Sequence, residues 1–265
     1  MLAIIKWTLW QRRWSTFWWI LGIFGFIFLN IVFYPTFKDQ AAELQKSFES
    51  LPDAALQLFG GSADFFSPVG FLNSQIFFLM LPMLLSILAI SMGTSLIGRE
   101  EQDGTIETLL ARPISRVRLL LAKAKAGGIV LGVVTLASLI VTAGLARVVG
   151  LTEVSALQLT EVTFACFMLA LSFGAIAFLL TTIGRARSAS LGITAFIALG
   201  GYLISSLANT VSWLKTPAVF FPFHYYRSEE ILRGSLRWSD IFIFGAIIAV
   251  CGVVSWFSFR RRDIG

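Results

Sequence analysis

Residues 98–125 read GREEQDGTIETLLARPISRVRLLLAKAK, and this charged stretch separates two apolar runs that are each long enough to cross a membrane. Eight charged residues, four of each sign, fall between positions 99 and 118. The whole chain has 265 residues, of which 57% are hydrophobic and only 14% are charged. Since a soluble domain carries roughly 25% charged residues, the sequence predicts a membrane protein that uses this stretch to contact something outside the membrane.

Apolar runs recur along the chain and predict an all-α integral membrane protein with six transmembrane helices in a single domain, residues 1–265. The predicted spans are residues 17–34, 69–97, 126–149, 157–183, 189–208 and 241–259. Pro82 is expected to kink the second span. Gly128 and Gly132 give the third span a GxxxG spacing, which permits close approach of another helix.

The N-terminal residues 1–16 have the pattern of a helix lying in the membrane interface. Trp7, Trp10 and Trp14 share one helical stripe, and the cations between them, including Arg12 and Arg13, fall away from it and are expected to face water. A signal peptide is the alternative, but no small-residue cleavage site follows the apolar run.

Two segments between spans are predicted to lie on the external side, residues 35–68 and 209–240. The first includes an amphipathic pattern formed by Ala41, Leu44, Phe48 and Leu51, which favours a helix that caps the outer surface over one that binds a ligand. In the second, His224 has no acidic or cysteine partner at ligand spacing, which favours an interfacial histidine over a metal ligand or an acid–base group.

The distribution of positive charge predicts the orientation in the membrane. With both termini in the cytoplasm, fourteen Lys and Arg residues lie in inside segments and seven in outside segments. The positive-inside rule therefore places the termini and the 98–125 loop in the cytoplasm of a multi-pass cell-membrane protein.

The spans lack the groups that an ion-driven transporter or an intramembrane enzyme needs. No ionisable residue falls near the middle of a predicted span, although coupling-ion sites lie near the membrane midplane. No GxxxxGK[ST] pattern is present either, so we expect the chain to have no ATP site of its own. Any energy must then come from another subunit, and the 98–125 loop is the available contact site.

The 98–125 loop resembles the cytoplasmic loop after the second span in permease subunits of ATP-binding-cassette (ABC) transporters of the second, exporter type. That pattern has an acidic pair, GT-x-E-x-LL, P-x-SR and then a lysine. Its positions are occupied here by Glu100, Glu101, Gly104, Thr105, Glu107, Leu109, Leu110, Pro113, Ser115, Arg116 and Lys123. Residues 221–234, FPFHYYRSEEILRG, are similar to the PF-x-YY…L-x-x-G signature before the last span of the same permeases.

The resemblance implies that two such permease subunits pair as a homodimer or heterodimer in membrane lipid, and that each docks on a cytoplasmic P-loop ATPase subunit. It implies that the loop forms a coupling helix, while ATP and Mg²⁺ are bound by the ATPase and no cofactor, metal or catalytic residue belongs to this chain. The residues expected to couple to the ATPase are Glu100, Glu101, Gly104, Thr105, Ile106, Glu107, Leu109, Leu110, Pro113 and Arg116.

The residues themselves favour a short helix from about Glu101 to Ala111. Ile106, Leu109 and Leu110 form an apolar face at i, i+3 and i+4, acidic residues precede or border it, and Pro113 ends it. The predicted function is therefore the permease subunit of an ABC exporter, with a path of mainly apolar and small polar groups that suits an amphipathic or hydrophobic cargo better than a small ion. The alternatives are a channel or a regulatory or scaffold membrane protein without an ATPase, and an intramembrane enzyme.

Overall fold

The computed structural model describes residues 1–39, 67–102, 104, 115–151 and 153–261, without the side chains of residues 37–39 and 101. Every regular element in this part of the chain is helical. The α-helices are α1 (Leu2–Val32), α2 (Tyr34–Asp39), α3 (Pro68–Leu72), α4 (Met80–Gln102), α5 (Arg116–Val148), α6 (Ala156–Thr182), α7 (Arg187–Leu207), α8 (Lys215–Ala218), α9 (Ser228–Leu232) and α10 (Trp238–Arg261). A π-helix (Asn73–Phe77) follows α3, and short 3₁₀ turns (Ser212–Leu214 and Pro222–Tyr225) flank α8.

Six helical segments within the described residues are long and apolar enough to cross a membrane. Their limits are Leu2–Thr36, Pro68–Glu100, Arg116–Val148, Ala156–Thr182, Arg187–Leu207 and Trp238–Arg261. The prediction of an all-α fold with six candidate spans is therefore confirmed. The part of each helix that lies in lipid stays a prediction.

Several helices run past the limits that the sequence predicted. Helix α1 is continuous from Leu2 to Val32, so the predicted interfacial helix and first span form one element. Helix α4 continues to Gln102 and α5 already begins at Arg116. The connection between them is thus shorter than the predicted 98–125 loop, because both of its ends are helical. We call this end of the helical bundle the loop end, and the other end of α4 the distal end.

The cations of the N-terminal helix do not simply face water as predicted. The Arg12 guanidinium donates a hydrogen bond of 2.6 Å to the Ser95 hydroxyl of α4. The Arg13 guanidinium lies 4.5 Å from the ring centre of Trp10 and 6.0 Å from that of Trp14. Because guanidinium groups stack on indole faces, the exposed tryptophans and Arg13 form one surface, and Arg12 joins the helix to the core.

Helices α4 and α6 form the centre of the core and cross at small residues. A Cβ atom at Gly93 would overlap the Gly174 carbonyl oxygen and lie 3.1 Å from the Ala177 Cβ. A Cβ atom at Gly174 would lie 3.1 Å from the Cβ of Ala89. Small residues let helix backbones approach closely in lipid. The closest packing therefore uses this pair of helices, whereas a Cβ at Gly128 would meet nothing within 4 Å inside the chain.

Many hydroxyl groups of the spans are hydrogen-bonded inside their own helices. The Thr94, Thr135, Thr142 and Thr194 hydroxyls each donate to the carbonyl four residues earlier, at 2.8–3.0 Å. The Asn30 amide does the same to the Phe26 carbonyl at 2.9 Å. Such bonds remove the cost of an unpaired polar group in lipid, so these residues do not by themselves mark a polar path through the bundle.

The distal end of the second span is irregular. The Ser67 hydroxyl caps α3 by accepting from the Gly70 amide at 3.0 Å, and Pro68 occupies the first turn. The π-helix then begins at Asn73, where the Phe78 amide bonds to the carbonyl five residues earlier at 2.7 Å. Pro82, predicted to kink this span, lies one turn after the π-helix and has no amide hydrogen to give the Phe78 carbonyl.

Candidate functional site

The stretch predicted to couple to an ATPase is described only at its two ends. Glu100 and Glu101 belong to the last turn of α4, Gly104 follows in a turn with φ +65°, and Arg116 is the first residue of α5. The other predicted residues lie outside the described part of the chain, as does nearly all of the helix predicted from Glu101 to Ala111. They are Thr105, Ile106, Glu107, Leu109, Leu110 and Pro113.

An ion pair joins the two helices at the base of this stretch. The Lys123 ammonium of α5 contacts the Glu100 carboxylate of α4, and the two side chains are only 5% and 18% exposed. An ion pair that is mostly removed from water is weakly screened by salt, and loss of one partner is strongly destabilising. The ends of α4 and α5 are therefore fixed to each other where the chain leaves the bundle.

Two further contacts join the loop end to neighbouring helices. Arg12 of α1 is bound to Ser95 of α4, as described above. A Cβ atom at Gly98 would lie 3.1 Å from the Arg187 Cβ of α7 and 3.1 Å from the Thr181 methyl of α6. Four helices thus converge on the last three turns of α4, so a displacement of its end is resisted by all of them.

The start of α5 is set by Ser115. Its backbone is extended, with φ −66° and ψ 140°, and its hydroxyl accepts a hydrogen bond of 3.3 Å from the Arg118 amide. This is the geometry of an N-cap, which satisfies a backbone donor that has no helical partner. The serine of the P-x-SR pattern therefore begins a helix that carries Lys123 two turns later.

Sequence reasoning identified Glu100 and Lys123 as motif positions but did not predict that they pair with each other. The sequence could have indicated this ion pair, because two opposite charges at the facing ends of consecutive apolar runs are costly to bury separately. The role of Arg12 in binding Ser95 carried no comparable signal. It depends on how α1 lies against α4, and a single helix pattern does not contain that.

A second set of polar contacts lies at the distal end, where the FPFHYYRSEEILRG motif packs against the π-helix. The Tyr226 hydroxyl donates to the Phe77 carbonyl at 2.7 Å, and the Cys166 sulfur lies 2.8 Å from the same hydroxyl oxygen. Since the Tyr226 hydroxyl already donates its hydrogen to the Phe77 carbonyl, the Cys166 thiol is the donor in the contact between Cys166 and Tyr226. The Ser228 hydroxyl donates to the Asn73 side-chain carbonyl at 2.6 Å.

These contacts explain the second tyrosine of the motif. Tyr226 is buried and burial raises its pKa well above the usual value, with the nearby Cys166 thiol adding to the shift, so its hydroxyl stays protonated. A π-helix leaves backbone carbonyls displaced from their regular partners, and Tyr226 supplies a donor to one of them. Residues 222–232 are therefore attached to the second span by two side-chain hydrogen bonds.

The charged residues of the same motif form ion pairs with one another. The Arg233 guanidinium contacts the Glu229 carboxylate at 3.0 Å, and that of Arg227 contacts Glu230 at 3.3 Å. His224 packs edge-on against the Tyr225 ring, with 5.1 Å between ring centres. Burial, followed by the charge of Arg227, lowers the pKa of His224 below its usual value, while Asp240 acts in the opposite direction.

Comparison with known proteins identifies the family of membrane proteins to which this chain belongs. A helical chain with six candidate spans and a charged connection after the second belongs among multi-pass membrane proteins. The family described as "ABC-2 family transporter protein" matches residues 2–264, so the chain belongs to that family. Its permeases are membrane transport subunits that generally work with a cytoplasmic ATPase subunit. No curated protein matches the sequence.

Proposed function

We propose that this chain is the permease subunit of an ABC exporter and that residues 100–116 couple it to a separate cytoplasmic ATPase. The family match across residues 2–264 supports the permease role. ATP and Mg²⁺ are bound by the partner ATPase, and the chain supplies the transport path. Two permease subunits, identical or different, enclose that path between them.

The observation that carries the coupling proposal is the buried Glu100–Lys123 ion pair at the base of the connection. Force applied to a connection is lost in local bending unless both of its ends are fixed. Here the two ends are joined to each other, and α4 is joined to α1 through Arg12 and Ser95. A push on the connection therefore moves α4 and α5 together, and the Gly93–Gly174 crossing passes the movement to α6.

The cytoplasmic position of the loop end is part of the same proposal. The loop end and its neighbours carry the larger share of the positive charge, including Arg12, Arg99, Lys123 and Arg187. Positive charge in short loops favours the cytoplasmic side of a cell membrane. Both chain termini then lie in the cytoplasm, and substrate leaves at the distal end.

Coupling is tested by replacing the predicted contact face. In the double variant Glu107→Arg with Leu110→Asp, we expect loss of co-purification with the ATPase subunit and loss of substrate-stimulated ATP hydrolysis in proteoliposomes. The physical reason is that the variant places a charge on the apolar face and reverses a charge beside it. Membrane insertion and yield should be unchanged, because neither residue belongs to an apolar run.

The matched control is Glu153→Arg, which reverses an exposed acidic residue between α5 and α6. It should leave both co-purification and stimulated hydrolysis at the wild-type level. If the double variant transports and hydrolyses like the wild type, residues 105–113 do not couple the permease to an ATPase.

A further inference from the structure

A pocket of about 500 Å³ opens at the distal end, far from the proposed coupling residues. Its walls come from three places in the sequence: the start of the second span, the end of α7 and the segment around the FPFHYYRSEEILRG motif. We call it the distal pocket. Its lining includes Asn73, Tyr202, Ser205, Lys215, His224 and Glu230.

One wall of the distal pocket is aromatic. The Phe78 and Tyr202 rings meet edge-on with 6.0 Å between centres, and Tyr202 and Phe223 do the same at 5.8 Å. Together the three rings provide an apolar wall beside the polar residues. Ligand sites commonly combine such apolar walls with a few polar groups that fix the orientation of the ligand.

Two buried polar atoms in the lining have no hydrogen-bond partner among the described residues. They are the amide nitrogen of Asn73 and the hydroxyl oxygen of Ser205. Asn73 is 1% exposed, and its side-chain carbonyl is already bound by Ser228, so the group left over is a donor. An unsatisfied buried donor costs about 1–3 kcal/mol, and such groups in native proteins call for an explanation.

One of the cations that line the pocket has no ion-pair partner among the described residues. Glu229 is paired with Arg233, and Glu230 with both Arg227 and Arg237, at 3.0–3.3 Å. Asp240 is paired with Arg227 at 3.6 Å. Lys215 has no ion pair within the described part of the chain and is exposed at the pocket lining. The lining itself holds two cations, Lys215 and Arg227, and two carboxylates, Glu229 and Glu230, so Lys215 is distinguished by its missing partner and not by a net charge.

We propose that the distal pocket binds the anionic head of an amphipathic molecule, a phosphate or carboxylate group next to an apolar body. The Lys215 ammonium and the Asn73 amide face the oxygens of the head, since charge-assisted hydrogen bonds to oxyanions are the strong ones. The rings of Phe78, Tyr202 and Phe223 contact the adjoining apolar part. The proposal concerns ligand binding at the distal end and does not depend on coupling to an ATPase.

Isothermal titration calorimetry tests the proposal on the full-length chain, purified in the neutral detergent dodecyl maltoside. Three probes separate the sources of the anionic group: dihexanoyl-phosphatidylglycerol, inorganic phosphate, and dihexanoylglycerol, which has the same tails and no charge. We expect the phosphatidylglycerol to bind at least about tenfold more tightly than the uncharged lipid, because a lost charge-assisted hydrogen bond corresponds to at least about that factor.

Two variants locate the binding. Lys215→Glu reverses the charge of the unpaired lining cation at an exposed position, and Asn73→Asp keeps an oxygen for Ser228 while replacing the free donor with an acceptor. Each should weaken binding of the phosphatidylglycerol at least about tenfold. Arg147→Glu is the matched control, since Arg147 is an exposed cation in the last turn of α5 and does not line the pocket. It should bind as the wild type does.

Each outcome has a defined meaning. Binding of the phosphatidylglycerol alone supports the proposal with a lipid as the source of the head group, and binding of inorganic phosphate as well supports it with free phosphate as a second source. Equal binding of the charged and uncharged lipids overturns it. No binding by any probe, or equal weakening by Lys215→Glu and Arg147→Glu, overturns it too.

Discussion

Lys123 illustrates how a single side chain can determine the geometry of the loop end. Its ammonium is buried and contacts the Glu100 carboxylate. We expect Lys123→Met to lower the free energy of unfolding by about 3 kcal/mol, because the Glu100 carboxylate then stays largely buried without this cation. The measurement is thermal unfolding of the purified chain in dodecyl maltoside. Lys125→Met removes an exposed lysine of the same helix and should shift the midpoint little.

A second variant distinguishes loss of the ion pair from loss of packing. Glu100→Gln combined with Lys123→Met removes both charges, and we expect the double variant to be more stable than Lys123→Met alone. A double variant that is less stable than either single variant would show that the two charges do not stabilise the loop end as a pair.

For single side chains, the sequence predicted the identities of important groups better than their partners. The helical stripe of Trp7, Trp10 and Trp14 excluded Arg12 and Arg13, and the structure places the Arg13 guanidinium over two of those indoles. Arg12 instead binds Ser95, which lies 83 residues away in sequence. A periodic pattern gives the direction of a side chain on its own helix, but a partner on another helix depends on how the two helices pack.

At the element scale, the crossing of α4 and α6 makes a prediction with an internal control. Gly93→Val would place side-chain atoms against the Gly174 backbone, and we expect the unfolding midpoint to fall by an amount equivalent to about 1–3 kcal/mol or more. Gly128→Val puts the same change into α5, where an added Cβ meets nothing within 4 Å. Subtracting the midpoint shift of Gly128→Val from that of Gly93→Val removes the intrinsic effect of valine in a helix. Equal destabilisation by both variants would contradict the close crossing.

The close helix crossing and the π-helix are two features of the elements that the sequence pattern did not predict. The GxxxG spacing of Gly128 and Gly132 is visible in the sequence, yet an added Cβ at Gly128 would meet nothing within 4 Å, whereas Gly93 and Gly174 lie directly against another helix. Gly93 has Ala89 four residues before it, which is the same small-residue spacing with alanine in place of glycine. The π-helix was not predicted, because the donor that compensates it, Tyr226, lies 149 residues beyond Phe77.

For the whole molecule, the sequence predicted six apolar helices and the family, and both are confirmed. Hydropathy is sufficient for the six helices because the backbone of a membrane span must make its hydrogen bonds within one helix, so a long apolar run implies a helical span. The distal pocket was not predicted, since Asn73, Ser205 and Lys215 come from separate parts of the chain and meet only in the folded bundle. The central part of the coupling stretch lies outside the described residues, so its helix stays a prediction.

The orientation of the molecule can be measured with single cysteines at the two ends of the bundle. Gln102→Cys lies at the end of α4, and Ser235→Cys follows the distal motif; both positions are exposed. We expect a membrane-impermeant maleimide to label Ser235→Cys on intact cells and Gln102→Cys only after permeabilisation, because the positive-inside rule places the loop end in the cytoplasm. The native Cys166 and Cys251 are buried, so the wild-type chain should take up little label and serves as the control. The reverse labelling pattern would place the proposed coupling residues outside the cell, where no ATP-driven partner is available, and the proposed function would fail with it.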